Sequence, residues 1–271
     1  MNIYVVVKPV PDPKTKLTYD PEQKTVIRAG LATVINPPDK NALETGLRLR
    51  EQSGGRVTVF SLAPPSAGES LKETLAMGAD EVYLVSDPVF AGSDTLITAL
   101  ILARAISAIG VPDLVLAGDR TTDSGTSHVP AQLGEWLGLP HLANACEIVL
   151  RDQKNLAVKT SLDEVFISYR VTLPAVVSVT RRINRPRLAT LLEMVRSRSK
   201  PVTLLDAAAL NLSPEQTGLN ASPTKPGRLL PARPVVKEGT IMSGTVGEMA
   251  QEILNRLQSL GYGPKAGGGL G

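Results

Sequence analysis

Short apolar runs rich in β-branched residues alternate with longer helix-patterned segments through the first two thirds of the chain. That alternation leaves few folds open. Ile3 to Val7, Arg56 to Leu62, Glu81 to Val85 and Asp113 to Ala117 read as strands. Ala42 to Gln52, Glu69 to Met77, Asp94 to Ile109 and Ala131 to Leu137 read as helices, and the last three stop at Gly78, Gly110 and Gly138. A β-then-α order implies right-handed crossovers and a mainly parallel sheet. The strands are near-continuous apolar runs, as strands covered by helices on both faces must be. The expected class is α/β, a mainly parallel open sheet flanked by helices.

The texture changes from about Glu147. Glu147 to Leu150, Leu156 to Thr160, Val165 to Val171 and Ala175 to Thr180 read as strands with few helices between them, which predicts antiparallel additions beside the parallel core. Ala207 to Pro234 is rich in Pro, Ser, Thr and Gly and reads as an extended arm. Val246, Met249, Ile253, Leu257 and Leu260 restore helical spacing over Thr245 to Leu260. The expected division is an α/β domain over 1–206, a C-terminal arm and helix over 207–260, and a disordered tail over 261–271. The arm either folds back on its own domain or packs on another chain.

Composition removes several function classes. A single cysteine, Cys146, rules out an intramolecular disulfide framework and most cysteine-based metal sites. With only His128 and His141, a histidine-rich metal site is not expected either. Aromatics make up 3% of the chain, too few for a surface that stacks single-stranded nucleic acid. No apolar stretch reaches the roughly 20 residues of a membrane helix, and Met1 to Lys8 holds too short an apolar run for a signal peptide. The expectation is a cytoplasmic chain with no nucleic-acid partner and no membrane insertion. The net charge is only +3, yet Arg181, Arg182, Arg185, Arg187, Arg196, Arg198 and Lys200 fall close together. They form either a solvated face or a docking surface for an acidic partner.

In an open parallel sheet, ligands bind beyond the carboxyl ends of the strands. Three segments of this chain would sit there. Lys8 to Pro13 follows the first strand and is held rigid by prolines; it is a stiff exit turn, or its backbone near Val6 contacts a base. Asn36-Pro37-Pro38-Asp39 leads into the first helix. Asp39 there is a helix N-cap, or the segment fixes an adenine or ribose contact. The most informative segment runs from Ala117 to Gln132, with Gly118 and Gly125 for close approach, small hydroxyls at Thr121, Thr122, Ser124, Thr126 and Ser127, and a helix start at its end. Phosphate sites exploit those features. His128 would reach a phosphate or cap the helix. The segment is neither a P-loop nor a Gly-x-Gly-x-x-Gly fingerprint. No Ser/His/Asp set, metal-ligand cluster or paired acid and base is evident, which favours a binding or carrier role over an enzyme.

Over about Met1 to Pro201 the chain resembles the β subunit of electron transfer flavoproteins, the β/FixA family. The matching motifs fall in order: Val7-Lys8-Pro9-Val10-Pro11-Asp12, Asn36-Pro37-x-Asp39 before Ala42-Leu43-Glu44, Leu75 to Asp80, Asp113 to Gly118, Thr122-Asp123-x-Gly125-Thr126 through Gln132, Leu173 to Val179, and Arg187-Leu188-Ala189-Thr190-Leu191. The resemblance implies a Rossmann-like fold of the adenine-nucleotide-hydrolase-like type, with the arm and helix packing on a flavoprotein α subunit. It implies a carrier of electrons from flavin dehydrogenases to an acceptor. FAD is shared with or held by the α subunit, and AMP or a second FAD sits in the β subunit. The implied nucleotide contacts are Val6, Asn36, Pro37, Pro38, Asp39, Leu62, and the run Thr121, Thr122, Asp123, Ser124, Gly125, Thr126, Ser127, His128, Val129, Pro130, Ala131 and Gln132. Leu191 matches a recognition-loop leucine that docks dehydrogenases, with Arg187 and Arg196 beside it.

The chain departs from the family pattern at Asp119-Arg120, His128 and Pro130, and only partly matches it over Lys159 to Glu164. These changes leave AMP and FAD open as the β-site ligand. Asp119 would repel a phosphate unless Arg120 neutralises it. The alternative reading is an ATP-using enzyme of the same fold, an ATP-pyrophosphatase or a nucleotidyltransferase. Lys8 to Pro13 carries neither the Ser-Gly-Gly-x-Asp-Ser nor the His-x-Gly-His motif of those enzymes. A stress-type ATP-binding dimer is disfavoured by the length and by the arm.

Overall fold

A computed structural model describes residues 1–12, 14, 18–20, 25–27, 32–163, 165–225 and 239–262. Readings that fall on Pro13, Glu164, 226–238 and 263–271 lie outside the described residues. The chain forms two compact units, Met1–Leu229 and Leu230–Gly271.

The first unit opens with β1 (Asn2–Val6), whose side chains alternate between two apolar clusters. Ile3, Val5 and Val7 enter one cluster, Tyr4 and Val6 the other. That is the period of two dictated by the pleat, and it means both faces of the strand are covered. The short β2 (Pro9–Pro11) precedes β3 (Thr18–Asp20) and β4 (Thr25–Ile27), which pair with each other, and β5 (Thr33–Ile35), which pairs with β2. The first helix, α1 (Pro37–Ser53), begins with two prolines, a place where a missing N–H costs nothing. It therefore starts five residues before the periodic segment at Ala42. Asn36, not Asp39, occupies its N-cap position. Asp39 lies inside the first turn and faces the neighbouring strands.

Next come β6 (Arg56–Leu62), α2 (Gly68–Met77), β7 (Glu81–Val85) and α3 (Thr95–Ile109). Asp94 caps α3 by accepting the Ile97 N–H at 3.1 Å. After β8 (Leu114–Gly118), α4 (Val129–Leu137) ends at Gly138 in the left-handed conformation at φ 64°. Then follow β9 (His141–Leu150), β10 (Asn155–Leu162), β11 (Val165–Thr172), β12 (Ala175–Val179), α5 (Leu191–Ser197) and β13 (Thr203–Leu205).

One nine-stranded sheet results, ordered β11-β10-β9-β12-β8-β1-β6-β7-β13. Parallel pairings join seven of the nine strands, and the β9-β10-β11 meander supplies the expected antiparallel additions. β12 enters the parallel core between β8 and β9 instead of lying beside it. Helices α1 and α2 cover one face around Leu43, Leu47, Leu71 and Leu75; α3 and α4 cover the other around Ile101, Ile106 and Leu133. Beyond β13, residues 207–225 lie against this unit. Ala207, Leu210 and Leu212 join the α3 cluster, and the short α6 (Gly218–Ala221) hydrogen-bonds through Leu219 N to Ala91 O at 3.2 Å.

In the second unit, α7 (Val246–Ser259) opens with a capping box formed by Thr245 and Glu248. None of its residues is buried. No helix among the described residues is long and apolar enough to cross a membrane.

Candidate functional site

Chain order reverses in the sheet at β1, which lies between β6 and β8. Ligands of open α/β sheets bind at such a switch point, outside the carboxyl ends of the strands. A cleft of about 950 Å³ opens there. Its floor is built from Val6 to Lys8, Ala117 and Gly118. One wall is the loop from Asp119 to Pro130, and the other is formed by Ala63 to Pro65 and Ser86 to Thr95.

Gly118 is required by a close approach. A side chain there would run into the Asp39 carboxylate and would lie 2.7 Å from the Pro38 ring. The first turn of α1 thus packs directly on the end of β8. The Asp39 carboxylate accepts the Lys8 N–H at 2.7 Å on one oxygen. The other oxygen accepts the Gly118 N–H at 3.2 Å and the Asn36 amide at 2.9 Å. Burial pushes the Asp39 carboxyl up to about 7, against the lowering effect of the hydrogen bonds from Asn36, Lys8 and Gly118. Asn36 is wholly buried. Its amide donates also to Arg120 O at 3.0 Å and accepts the Thr122 N–H at 3.1 Å.

Two ion pairs set the field at the mouth. Lys8 Nζ lies 2.6 Å from Asp123 Oδ2. Burial raises the Asp123 carboxyl, but the Lys8 hydrogen bond and charge outweigh it and hold the group below its usual range. Asp119 is buried, and Arg120 Nε reaches it at 2.9 Å. The departure at Asp119-Arg120 is therefore internally neutralised, while most of the Arg120 side chain stays exposed. Thr121 and Ser124 share a hydroxyl hydrogen bond of 2.8 Å within the same loop.

Ten of the residues proposed as nucleotide contacts line the cleft: Val6, Asp39 and Leu62 on one side, Thr121, Asp123, Ser124, Thr126, Ser127, Val129 and Pro130 on the other. Asn36, Pro37, Pro38, Thr122, Gly125, His128, Ala131 and Gln132 do not. His128 stands at the N-cap position of α4 but makes no cap hydrogen bond, so no side chain shields the start of that helix. The Gln132 side-chain oxygen is buried without a partner. The wall from Ser86 to Thr95, with Leu204 and Asp206 beside it, was not singled out in the sequence. The signal was there, because Ser86-Asp87-Pro88 follows β7 as Gly118 to Gln132 follows β8.

The proposed docking residues lie elsewhere. Arg187 donates to Glu44 Oε2 at 2.7 Å and to Glu51 Oε1 at 2.7 Å, so its charge is committed inside the fold. Arg48 reaches the same Glu44 at 2.6 Å. Leu191 opens α5 with 79% of its surface exposed, and Arg196 pairs with Glu193 at 3.0 Å.

Residues 23–210, more than half of the chain, match the electron transfer flavoprotein domain family. The chain belongs to the electron transfer flavoprotein family. Within it, the chain is 37% identical over 261 residues to the electron transfer flavoprotein subunit beta of Thermoanaerobacterium thermosaccharolyticum, covering 96% of this chain and 98% of that one. It is 36% identical over 260 residues to the caffeyl-CoA reductase-Etf complex subunit CarD of Acetobacterium woodii, covering 95% and 98%. Protein FixA of Azorhizobium caulinodans is 35% identical over 233 residues, covering 83% of this chain and 82% of FixA.

Proposed function

We propose that this chain is the β subunit of a heterodimeric electron transfer flavoprotein and that its cleft binds an adenine nucleotide. The carrying observation is the cleft itself, set at the switch point of the sheet in a chain of this family. The residues fit such a group. Small hydroxyls at Thr121, Ser124, Thr126 and Ser127 line the cleft, α4 starts without a side-chain cap, and most of the Arg120 side chain stands exposed at the mouth. A helix start of this kind favours a phosphate. The apolar lining at Val6, Leu62 and Ala63 suits a base.

AMP and a second FAD are the two candidate occupants. Ligand pockets span roughly 300–1,000 Å³. A cleft of about 950 Å³ is large enough for either. When bound, flavin supplies the electron chemistry, and the protein supplies position and electrostatics. The chain's own groups hold the ligand, with the Lys8–Asp123 and Arg120–Asp119 pairs balancing the charge at the mouth.

The partners on this reading are the α subunit and flavin dehydrogenases. Leu191 is the docking anchor, on a helix that also exposes Leu192, Met194 and Val195. Arg187 serves by fixing the loop before that helix, and Arg196 borders it. Nothing in the loop after β1 or among the relatives favours an ATP-using enzyme.

The test is purification with an α subunit, followed by release and counting of nucleotides. Two FAD per heterodimer support the dinucleotide, and one FAD with one AMP supports the mononucleotide. A colourless chain that retains no partner and no adenylate would overturn the function.

A further inference from the structure

Asn36 and Asp39 read from sequence as nucleotide contacts, but their side chains are spent on the protein. We propose that they are the positioning residues of the cleft: one buried amide and one buried carboxylate lock the exit of β1, the start of α1 and the loop after β8 into the ligand-receptive arrangement. Three backbone segments meet at these two side chains: Asn36 N donates to Lys8 O at 2.9 Å and β1 pairs with β8, while the start of α1 is tied to the end of β8 and its loop through the Asn36 and Asp39 side chains. Lys8 N comes from the first, Gly118 N and Thr122 N from the last, and both side chains belong to the second.

Saturation supports this role. Both amide hydrogens of Asn36 are used, on Asp39 and on Arg120 O, and its oxygen takes Thr122 N–H. Asn36 is wholly buried, so no polar atom is left to face a ligand. Asp39 borders the cleft but is 5% exposed. Each hydrogen-bond neighbour of its carboxylate is a donor. A protonated Asp39 would have to displace one of them, since a carboxylic acid proton needs an acceptor. The lock is therefore complete only with Asp39 ionised, and burial holds its titration near neutrality. The charged groups around it are Lys8 on the β1 side, tied to Asp123, the Asp119–Arg120 pair on the β8 side, and Lys40 on α1, tied to Glu73.

The experiment follows the amide resonances of Lys8 and Gly118 in the isotopically labelled full chain from pH 5.5 to 8.5. Both are expected to shift with one shared midpoint near neutrality, and Asp39→Asn is expected to abolish that titration. Asn36→Asp sets a second carboxylate against the first and is expected to move the midpoint to higher pH. Amides that do not titrate, a titration that survives in Asp39→Asn, or an unmoved midpoint in Asn36→Asp overturns the lock.

Ligand affinity is read with AMP as the probe and rests on the nucleotide reading above. Wild type is expected to lose about tenfold between pH 8 and pH 6, the scale of one hydrogen bond, while Asp39→Asn is weak and flat. Equal affinity and pH profile in the two proteins overturns the proposal. If neither AMP nor FAD binds at any pH while the amides titrate, the nucleotide reading falls and the lock stands.

Discussion

At the scale of single residues, the cleft is organised by one glycine and one carboxylate in contact. Gly118→Ala would drive a methyl group into Asp39 and Pro38, both held by the first turn of α1. Overpacking of this kind costs about 1–3 kcal/mol, and denaturant unfolding should show a loss in that range. A midpoint equal to wild type would mean that the α1 start yields easily. Asp39 makes a separate prediction about pH. Its folded-state value near 7 lies above the 3.8 of the free group, so the folded chain binds this proton more tightly. The resulting stability is fully present below about pH 4 and is lost as pH rises through about 7. Measured against Asp39→Asn, wild type should lose stability from pH 5 to about pH 7, by up to about 3 kcal/mol at roughly 1.4 kcal/mol per unit, and then level off. Parallel curves for the two proteins would reject the assignment. The sequence marked Asn36, Asp39 and Gly118 as belonging to strand ends. It did not show that they meet, because the turn of α1 and the end of β8 are 79 positions apart and converge only through the sheet order.

At the scale of elements, strands β6 and β7 match their apolar runs end to end, whereas β9 begins at His141, six residues before the expected Glu147, because its mixed polar start breaks the apolar run. Helix starts were less legible, because prolines at the first turn of α1 and α4 are compatible with a helix yet interrupt the periodic signal. α5 is not legible for a related reason: it is seven residues long and mostly exposed, so it shows no buried stripe. β13 has three residues and gains its identity only from pairing with β7. The loop leading to α5 is fixed by the Arg187 contacts with Glu44 and Glu51. Arg187→Ala leaves the buried Glu44 with Arg48 alone, a loss of about 2 kcal/mol, below the 3–5 expected when a buried charge is fully abandoned. Burial raises Glu44, but the Arg187 and Arg48 bonds hold it below its ordinary range. Its contribution is thus present above about pH 4.5 and fades as pH falls, so the variant and wild type should converge in acid. Leu191→Ala, by contrast, removes an exposed side chain. Unfolding should stay within about 0.5 kcal/mol of wild type, while electron transfer from a partner dehydrogenase drops several-fold. Unchanged transfer would remove Leu191 from the docking surface.

At the scale of the whole molecule, both apolar clusters belong to the unit Met1–Leu229. The wall of the cleft is tied to the segment that leaves β13: Ala207 N reaches Asp87 at 3.1 Å, Asp94 N reaches Ser222 at 2.9 Å and Thr224 N reaches Asp94 at 2.9 Å. These contacts lie within residues 1–229, so the cleft does not need the later residues for its shape. The helix α7 buries none of its own residues, yet Val246, Met249, Ile253 and Leu257 recur at helical spacing and Leu260 continues the stripe just beyond it. Such a stripe is explained by a surface that covers it, which on the proposed function is the α subunit. Burying even two of these side chains is worth about 1.5–3 kcal/mol each, or at least tenfold in affinity. A chain lacking residues 239–271 should therefore keep the unfolding midpoint and adenylate retention of the full chain while losing at least about tenfold in affinity for the α subunit. The decisive measurement is co-purification at matched expression, read together with the bound nucleotide. If the shortened chain holds the α subunit as firmly as the full one, the stripe has no role in assembly, and if it loses its adenylate while still folded, the cleft depends on residues beyond its own unit.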